Sequence, residues 1–388
     1  MRILIINYEY PPIGGGGGFV TRDIIEYIAA IGHDVTVITS GFGNLSNKEI
    51  INGVEVIRVP VFFRKAMEVA NVPSMLCYLP TGILRAILYK RMSSFDIINT
   101  HFAIPSGPVG FVLSKLFRIP NVLSIHGGDI FDPSKPSSPH KTPVISHLVK
   151  FMLDSADQVV AQSDDTRKNA VKYYSTKRKI DIIPLGIKKP SYIKKERIHF
   201  GFDEDEILFI TIGRLVTRKN IISALLALSE LSERFTFRFL VIGDGPEKEM
   251  LKHTAAKIGL EKRVVFFGNV SDEVKFQLLE ISDCYLSTAL HEGFGLVFLE
   301  AMECGLPIVC YNRGGQNDFL SNGETGFLVE LGDMDAFKER LLDIVNNPTL
   351  RETIGVNNRK IVRKNYYISA CAEKYIALFE KGIAQEFR

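Results

Sequence analysis

The sequence predicts an α/β protein of two Rossmann-like domains that face each other across a cleft. Three observations carry this. Short apolar runs alternate with helically spaced segments along all 388 residues. The alternation breaks once, around residues 184–200, beginning with the proline-, glycine- and lysine-rich stretch Pro184 to Pro190. The series on either side of the break are similar in length, and such a chain is comfortable for two domains.

Residues 3–6 form the first buried strand. A glycine loop follows, and residues 20–31 carry the spacing of a helix that Gly32-His33 ends. Further strands are expected at 35–39, 54–59, 96–99, 122–125, 158–161 and 180–183, with helical text between most of them. Buried runs separated by helices imply a parallel sheet covered on both faces. The second series has strands at 207–212, 235–242, 264–267, 284–287 and 308–311, and helices at 220–232, 247–258, 272–281 and 296–304. Residues 347–388 read as helix, of which 369–381 are expected to cross back onto the first domain. The domains are therefore placed at 1–187, with a last helix of about 369–388 packed on it, and at 188–368. Open α/β sheets bind ligands beyond the carboxyl ends of their strands. Two facing domains put that site in the cleft.

Hydrophobic residues make up 46% and charged residues 23% of the chain, an ordinary globular balance. A net charge of +3 without interleaved basic motifs argues against nucleic acid as a partner. Cys77, Cys284, Cys304, Cys310 and Cys371 are scattered and lack C-x-x-C spacing, so a reducing compartment fits. The first apolar run is too short for a signal peptide, and no uncharged stretch is long enough to span a bilayer. A cytoplasmic protein is expected.

Four segments could carry chemistry. Gly14-Gly15-Gly16-Gly17-Gly18 lies between a strand and a helix, where backbone N–H groups and the helix N-terminus suit a phosphate or a sugar. Gly15 and Gly16 are its central candidates; the bland alternative is a flexible surface loop. His126 ends a strand in Ser124-Ile125-His126-Gly127-Gly128-Asp129, and its neutral ring could hydrogen-bond a sugar hydroxyl or the transferring oxygen. Asp129 reads equally as a site residue or a helix cap. Arg214 and Lys219 follow a strand and precede a helix, and a departing nucleotide diphosphate needs cations beside it. Arg218 between them reads as a solvent-facing charge.

The fourth segment runs from His291 to Glu300. Glu292 precedes a helix and Glu300 lies about two turns into it. Carboxylates accept paired hydrogen bonds from vicinal diols. Gly293 and Gly295 keep the backbone open, and the N–H groups of Phe294 and Gly295 could meet a diphosphate. Glu300 sits in apolar text, where an unpaired structural glutamate would be costly. Gly243, in Gly243-Asp244-Gly245-Pro246, shapes a turn after a strand. Gly268-Asn269-Val270 could present backbone groups to a nucleobase. No D-x-D is placed to hold a divalent ion, so no metal is implied.

Together these residues resemble the family 4 retaining glycosyltransferases of the GT-B clan. The resemblance runs from Pro11-Pro12-Ile13-Gly14-Gly15-Gly16 through His126-Gly127, Gly213-Arg214-Leu215 with Lys219, and Gly243-Asp244-Gly245-Pro246. It ends with the E-x7-E pair Glu292 and Glu300, Gly314-Gly315 and Gly323-Glu324-Thr325-Gly326. It departs from the family pattern at Lys219-Asn220 for Lys-Gly, Thr288-Ala289 for Pro-Ser, and Asp318 for a glutamate.

The resemblance implies that the first domain binds the acceptor and the second a nucleotide diphosphate sugar. Arg214 and Lys219 would bind the diphosphate, Glu292 the transferred sugar and Glu300 the ribose. His126 would contact the donor sugar. A hexose-type sugar would pass with retention, by front-side attack without a metal or other cofactor, to a glycan, lipid-linked or small-molecule acceptor. The alternatives are a non-catalytic nucleotide-sugar-binding subunit and a GT-B nucleotide-sugar epimerase. Val61-Phe62-Phe63-Arg64-Lys65 and the helix carrying Arg85, Lys90 and Arg91 mix apolar and cationic residues, as a peripheral contact with the inner face of a membrane would need.

Overall fold

Eight strands of the first unit line up in one sheet, whose central strands are apolar runs shielded on both faces. The computed structural model describes residues 1–67, 70–89, 92–135 and 137–386. The chain divides into two units, Met1–Gly186 with Ile368–Arg388, and Ile187–Tyr367.

In the first unit, β1 (Arg2–Asn7) leads into α1 (Gly16–Ala30) and β2 (Asp34–Ser40). The hairpin β3 (Lys48–Ile51) and β4 (Val54–Val59) precedes α2 (Val72–Ile87). Then β5 (Ile97–His101), α3 (Ser106–Phe117), β6 (Asn121–Ile125), α4 (Pro143–Ser155), β7 (Gln158–Ala161), α5 (Asp164–Tyr174) and β8 (Ile180–Ile182) follow. The sheet order is β3-β4-β2-β1-β5-β6-β7-β8. Only the β3–β4 pairing is antiparallel, among the described residues. Ile3 to Ile6 are wholly buried, as befits a central parallel strand. The sequence reading missed β3, an edge strand that alternates exposed and half-buried and so shows no apolar run. It also started α1 four residues late, because Gly16, Gly17 and Gly18 form the helix's first turn.

The second unit contains β9 (Ile207–Ile212), α6 (Ile221–Glu230), β10 (Phe237–Ile242), α7 (Lys248–Lys257), β11 (Val264–Gly268), α8 (Asp272–Ile281), β12 (Cys284–Ser287), α9 (Leu296–Glu303), β13 (Ile308–Tyr311), β14 (Gly326–Val329), α10 (Met334–Asn346) and α11 (Pro348–Asn365). Its parallel sheet runs β11-β10-β9-β12-β13-β14. Phe209, Phe237 and Phe239 are buried at its centre against Leu225 and Leu228 of α6. The last helix, α12 (Ile368–Glu386), belongs to the first unit. Cys371, Tyr375 and Phe379, spaced by one helical turn, are buried there, and Tyr375 Oη donates to Ser124 Oγ at 3.2 Å. All five cysteines are free, four of them buried. Among the described residues no helix is long and apolar enough to cross a membrane.

Candidate functional site

In the second unit the segment after β9 meets the segment after β12. Lys219 Nζ contacts Glu292 Oε1, and Arg218 Nη1 lies 3.3 Å from Glu292 Oε2. Arg218 also donates to the His291 carbonyl, while the Arg218 carbonyl accepts from Leu290 N at 2.8 Å. Arg218 is therefore no solvent-facing charge: it is half of the cationic clamp on Glu292. Its sequence position, one residue before Lys219, gave no sign of this, because the partner lies 74 residues away along the chain.

Glu292 is 6% exposed. Burial works to raise its carboxyl, but the Lys219 ammonium and Arg218 guanidinium outweigh it and hold the group at about 2. The carboxylate is fixed as an acceptor. Its backbone is fixed too, by Glu292 N to Arg313 O at 3.3 Å and Gly315 N to Glu292 O at 2.8 Å. Gly213 makes room for this arrangement. Its φ is 152°, and a Cβ there would stand 2.9 Å from Lys219 Cε.

Two departures from the family pattern have a local physical reason. Asn220 has φ 48° and ψ 40°, the left-handed conformation for which asparagine is the usual substitute for glycine. Thr288 uses its hydroxyl to donate to the Asn220 carbonyl at 2.8 Å, tying the end of β12 to the same turn. Asp318 lies exposed in the short turn Gly315–Asp318.

Arg214 is exposed, and its side chain meets no hydrogen-bond or ionic partner among the described residues. Glu300 Oε1 pairs with Lys275 Nζ at 2.7 Å, and Lys275 reaches Asp272 at 2.9 Å. The cost that an unpaired Glu300 would carry in its apolar surroundings is avoided, since α8 supplies the cation. Burial lowers the Lys275 ammonium, but Glu300 and Asp272 outweigh it and raise the group. At the start of α9 the N-cap Gly295 makes no side-chain cap bond, and Gly293, Phe294 and Gly295 follow Glu292 directly in the chain. Phe294 is buried against Phe319, ring centroids 5.3 Å apart. Gly243 N donates to Gly268 O at 2.8 Å, so that carbonyl is committed to the protein. Asn269 beside it is exposed and Val270 half-buried.

The first unit gathers His126, Asp129 and the glycine loop. Asp129 caps no helix. It lies in a turn, where its carboxylate accepts from His126 N at 2.9 Å and Ala103 N at 2.7 Å. It thereby joins the loops after β5 and β6. Burial pushes its carboxyl up to about 6 against those amides. Gln162 Nε2 donates to the His126 carbonyl at 2.6 Å. Burial pushes His126 down to about 4, so the ring is neutral at pH 7.

His126 Nε2 faces His101 Nδ1 at 2.9 Å, and burial lowers His101 as well. His101 was invisible to the sequence reading, which ended that strand at 99. The ring nitrogens His126 Nδ1 and His101 Nε2 are buried and have no partner. An unsatisfied buried polar atom costs about 1–3 kcal/mol, so each is a candidate contact for a ligand.

The glycine loop is narrower in chemistry than the sequence suggested. Gly15 N donates to Glu9 Oε2 at 3.1 Å. A phosphate there would meet a carboxylate already in place, which favours hydroxyls over an anion. Gly15 and Gly16 have open space where a Cβ would stand.

A family model described as Glycosyltransferase Family 4 matches residues 14–189, and one described as Glycosyl transferases group 1 matches residues 193–361. The chain is 26% identical to N-acetyl-alpha-D-glucosaminyl L-malate synthase of Bacillus anthracis, over 98% of this chain and 97% of that protein. It is 25% identical to alpha-monoglucosyldiacylglycerol synthase of Acholeplasma laidlawii, over 98% of each. Its fold matches sucrose-phosphate synthase from Thermosynechococcus elongatus with a TM-score of 0.86 at 22% identity, covering 99% of this chain and 100% of the other. Two consecutive models that take in most of the chain, relatives alike from end to end and a shared two-domain α/β architecture agree: the chain belongs to the family 4 glycosyltransferases, sugar-transferring enzymes of the GT-B fold.

Proposed function

We propose that the protein moves a hexose-type sugar from a nucleotide diphosphate sugar to a glycan, lipid-linked or small-molecule acceptor, with retention and without a metal. One observation carries the reading: a carboxylate held ionised by two cations, with the exposed guanidinium of Arg214 on the same β9 loop. Glu292 can accept from vicinal hydroxyls of the transferred sugar while Lys219 and Arg214 balance the charge of the departing diphosphate. Arg218 joins this set, since its charge already lies at Glu292. Glu300, oriented by Lys275, accepts from the ribose hydroxyls. Gly243 and the Gly268-Asn269-Val270 turn flank the base, and the uncapped start of α9 faces the diphosphate. In the first unit His126 meets the donor sugar, and Gly15 and Gly16 leave room for a hydroxyl-bearing ligand.

Retention follows from front-side attack in which the leaving phosphate takes the acceptor's proton, so no protein nucleophile is required. With Lys219 and Arg214 supplying the positive charge, no metal is required either. The test is incubation with a panel of nucleotide sugars in excess chelator, with the anomeric configuration of the product read by NMR. Retained product in chelator is the expected result. Loss of transfer that manganese or magnesium restores would refute the metal-free part. Inverted product would refute retention. Binding without turnover across the panel would favour a non-catalytic subunit.

The acceptor side suits a cytoplasmic enzyme working at a membrane surface. Val72, Leu76, Leu84 and Leu88 on and just after α2, with Phe62 and Phe63, are all exposed large apolar residues. Asn71 Nδ2, at the N-cap of α2, donates to Phe63 O at 2.6 Å and holds the two segments together. Such a patch fits the boundary layer of a bilayer. The cations differ from the sequence expectation. Arg64 is buried, donating to Ser40 Oγ, Ala66 O and Met67 O, and is structural. Arg85 is half-buried, 6.0 Å from the Tyr89 ring centroid. Lys65 is exposed, and Lys90 and Arg91 lie outside the described residues.

A further inference from the structure

A buried network in the first unit decides which hydrogen-bonding face His126 offers. Thr21 lies in α1, His101 ends β5 and His126 follows β6. Thr21 and His101 are 0% and 1% exposed. Thr21 Oγ1 donates to Gly17 O at 2.8 Å, the carbonyl one turn back that helical threonines commonly take. A hydroxyl has one hydrogen. With it committed to Gly17, Oγ1 can only accept from His101 Nδ1, 3.2 Å away. His101 therefore carries its hydrogen on Nδ1. That same nitrogen stands 2.9 Å from His126 Nε2, so its one hydrogen is shared between the two acceptors and Nε2 carries none. A neutral imidazole holds one N–H hydrogen. With Nε2 bare, His126 carries it on Nδ1, the buried nitrogen with no partner.

We propose that Thr21 and His101 are positioning residues that lock His126 in its Nδ1–H tautomer, so that the ring offers a ligand a hydrogen-bond donor and no base. This rests on the reading of His126 as a ligand-binding group. The matching ligand atom is an oxygen with a free lone pair, on a sugar hydroxyl or a phosphate. A locked donor cannot take the acceptor's proton, which must leave through another group; the departing phosphate is the one named above. The backbone of His126 is held by Asp129 at its N–H and by Gln162 at its carbonyl, which restrains the ring from moving away when its tautomer changes.

The test uses the full chain with ¹⁵N-labelled histidines, whose eight rings are assigned with His101→Asn and His126→Gln. At neutral pH both His101 and His126 should show a single protonated nitrogen, Nδ1. A His126 proton on Nε2 overturns the proposal. Thr21→Val keeps the side-chain shape but removes the acceptor. It should send both rings toward a mixture of tautomers, and Thr21→Ser should restore them. An unchanged spectrum in folded Thr21→Val overturns the lock. In sugar transfer, Thr21→Val should lower kcat about tenfold, the loss of one hydrogen bond's alignment. KM for the nucleotide sugar should stay within about twofold. A parent kcat despite mixed tautomers overturns the claim that the lock serves catalysis. Tautomers as assigned, with His126→Ala transferring sugar at the parent rate, would uphold the lock and refute the role given to His126.

Discussion

The candidate ligand-binding corners of the two units solve opposite electrostatic problems. In the second unit the key groups are charged, and the protein neutralises them in place: Glu292 with Lys219 and Arg218, Glu300 with Lys275. In the first unit the key groups are neutral rings, His101 and His126, kept uncharged by burial and aligned by hydrogen bonds. The contrast matches the chemistry proposed for each. A diphosphate brings charge that needs fixed counter-charge. A sugar or acceptor hydroxyl needs directed donors and acceptors. The lone carboxylate at the glycine loop, Glu9, fits that division, since it disfavours a phosphate there.

The largest effect should come from breaking the charged corner. Glu292→Ala leaves Lys219 and Arg218 facing each other across a buried gap. Removing one partner of a buried pair costs about 3 kcal/mol or more, and transfer should become undetectable. Chemical denaturation and a transfer assay would check both. A stability change below about 1 kcal/mol would mean the clamp is more solvated than its geometry implies. Lys219→Ala is milder for the fold, because Arg218 remains on Glu292, yet it should cut turnover roughly a hundredfold. Near-normal turnover in a folded variant would remove Lys219 from the diphosphate site.

Acid should separate the two corners. Glu292 is lowered from an ordinary 4.5 to about 2, so its contribution to stability is present above pH 4.5 and is lost as pH falls toward 2. His126 is lowered from 6.5 to about 4, so the unfolded chain takes up its proton first and stability declines as pH falls from 6.5 to 4. His101 shifts in the same direction. Asp129 opposes them: raised from 3.8 to about 6, it regains stability as pH falls through 6 and offsets part of the histidine loss. The net expectation is a decline beginning below pH 6.5 that His126→Gln flattens, and a steeper one below pH 4.5 that Glu292→Gln flattens. Unfolding midpoints measured from pH 3 to 8 would show it; identical profiles for the parent and both variants would contradict these assignments.

The smallest effect concerns the outer face of the first unit. Leu76→Glu with Leu84→Glu, both on exposed positions, should leave folding intact and weaken binding to anionic vesicles severalfold. Flotation at low and high salt measures it. Retained binding in the double variant would move the membrane contact elsewhere, and absence of binding by the parent would favour a soluble acceptor.

Much of this was legible in the residues. Strands 54–59, 207–212 and 284–287 agree end for end with β4, β9 and β12, because runs of four to six residues rich in β-branched and aromatic side chains are too short for a helix. What was not legible was partnership. Arg218 looked like a surface charge because its partner sits at the end of another strand. Lys275 lies on α8 and answers Glu300 on α9, a pairing no spacing rule announces. His101 escaped because the expected strand stopped at residue 99, and only pairing with the neighbouring strand places a second ring beside it.

By itself the sequence determined the two β/α series, the break between them and the local chemistry of each loop, since apolar period, glycine placement and residue type act within a few residues of chain. Tertiary structure alone decided which charges are neutralised, which ring nitrogens are left without partners and what stands at the glycine loop. Those outcomes depend on distances between loops that only parallel strand pairing sets. The same Glu292 that is one carboxylate among many in the sequence becomes an anion held at about 2 only once β9 and β12 lie side by side.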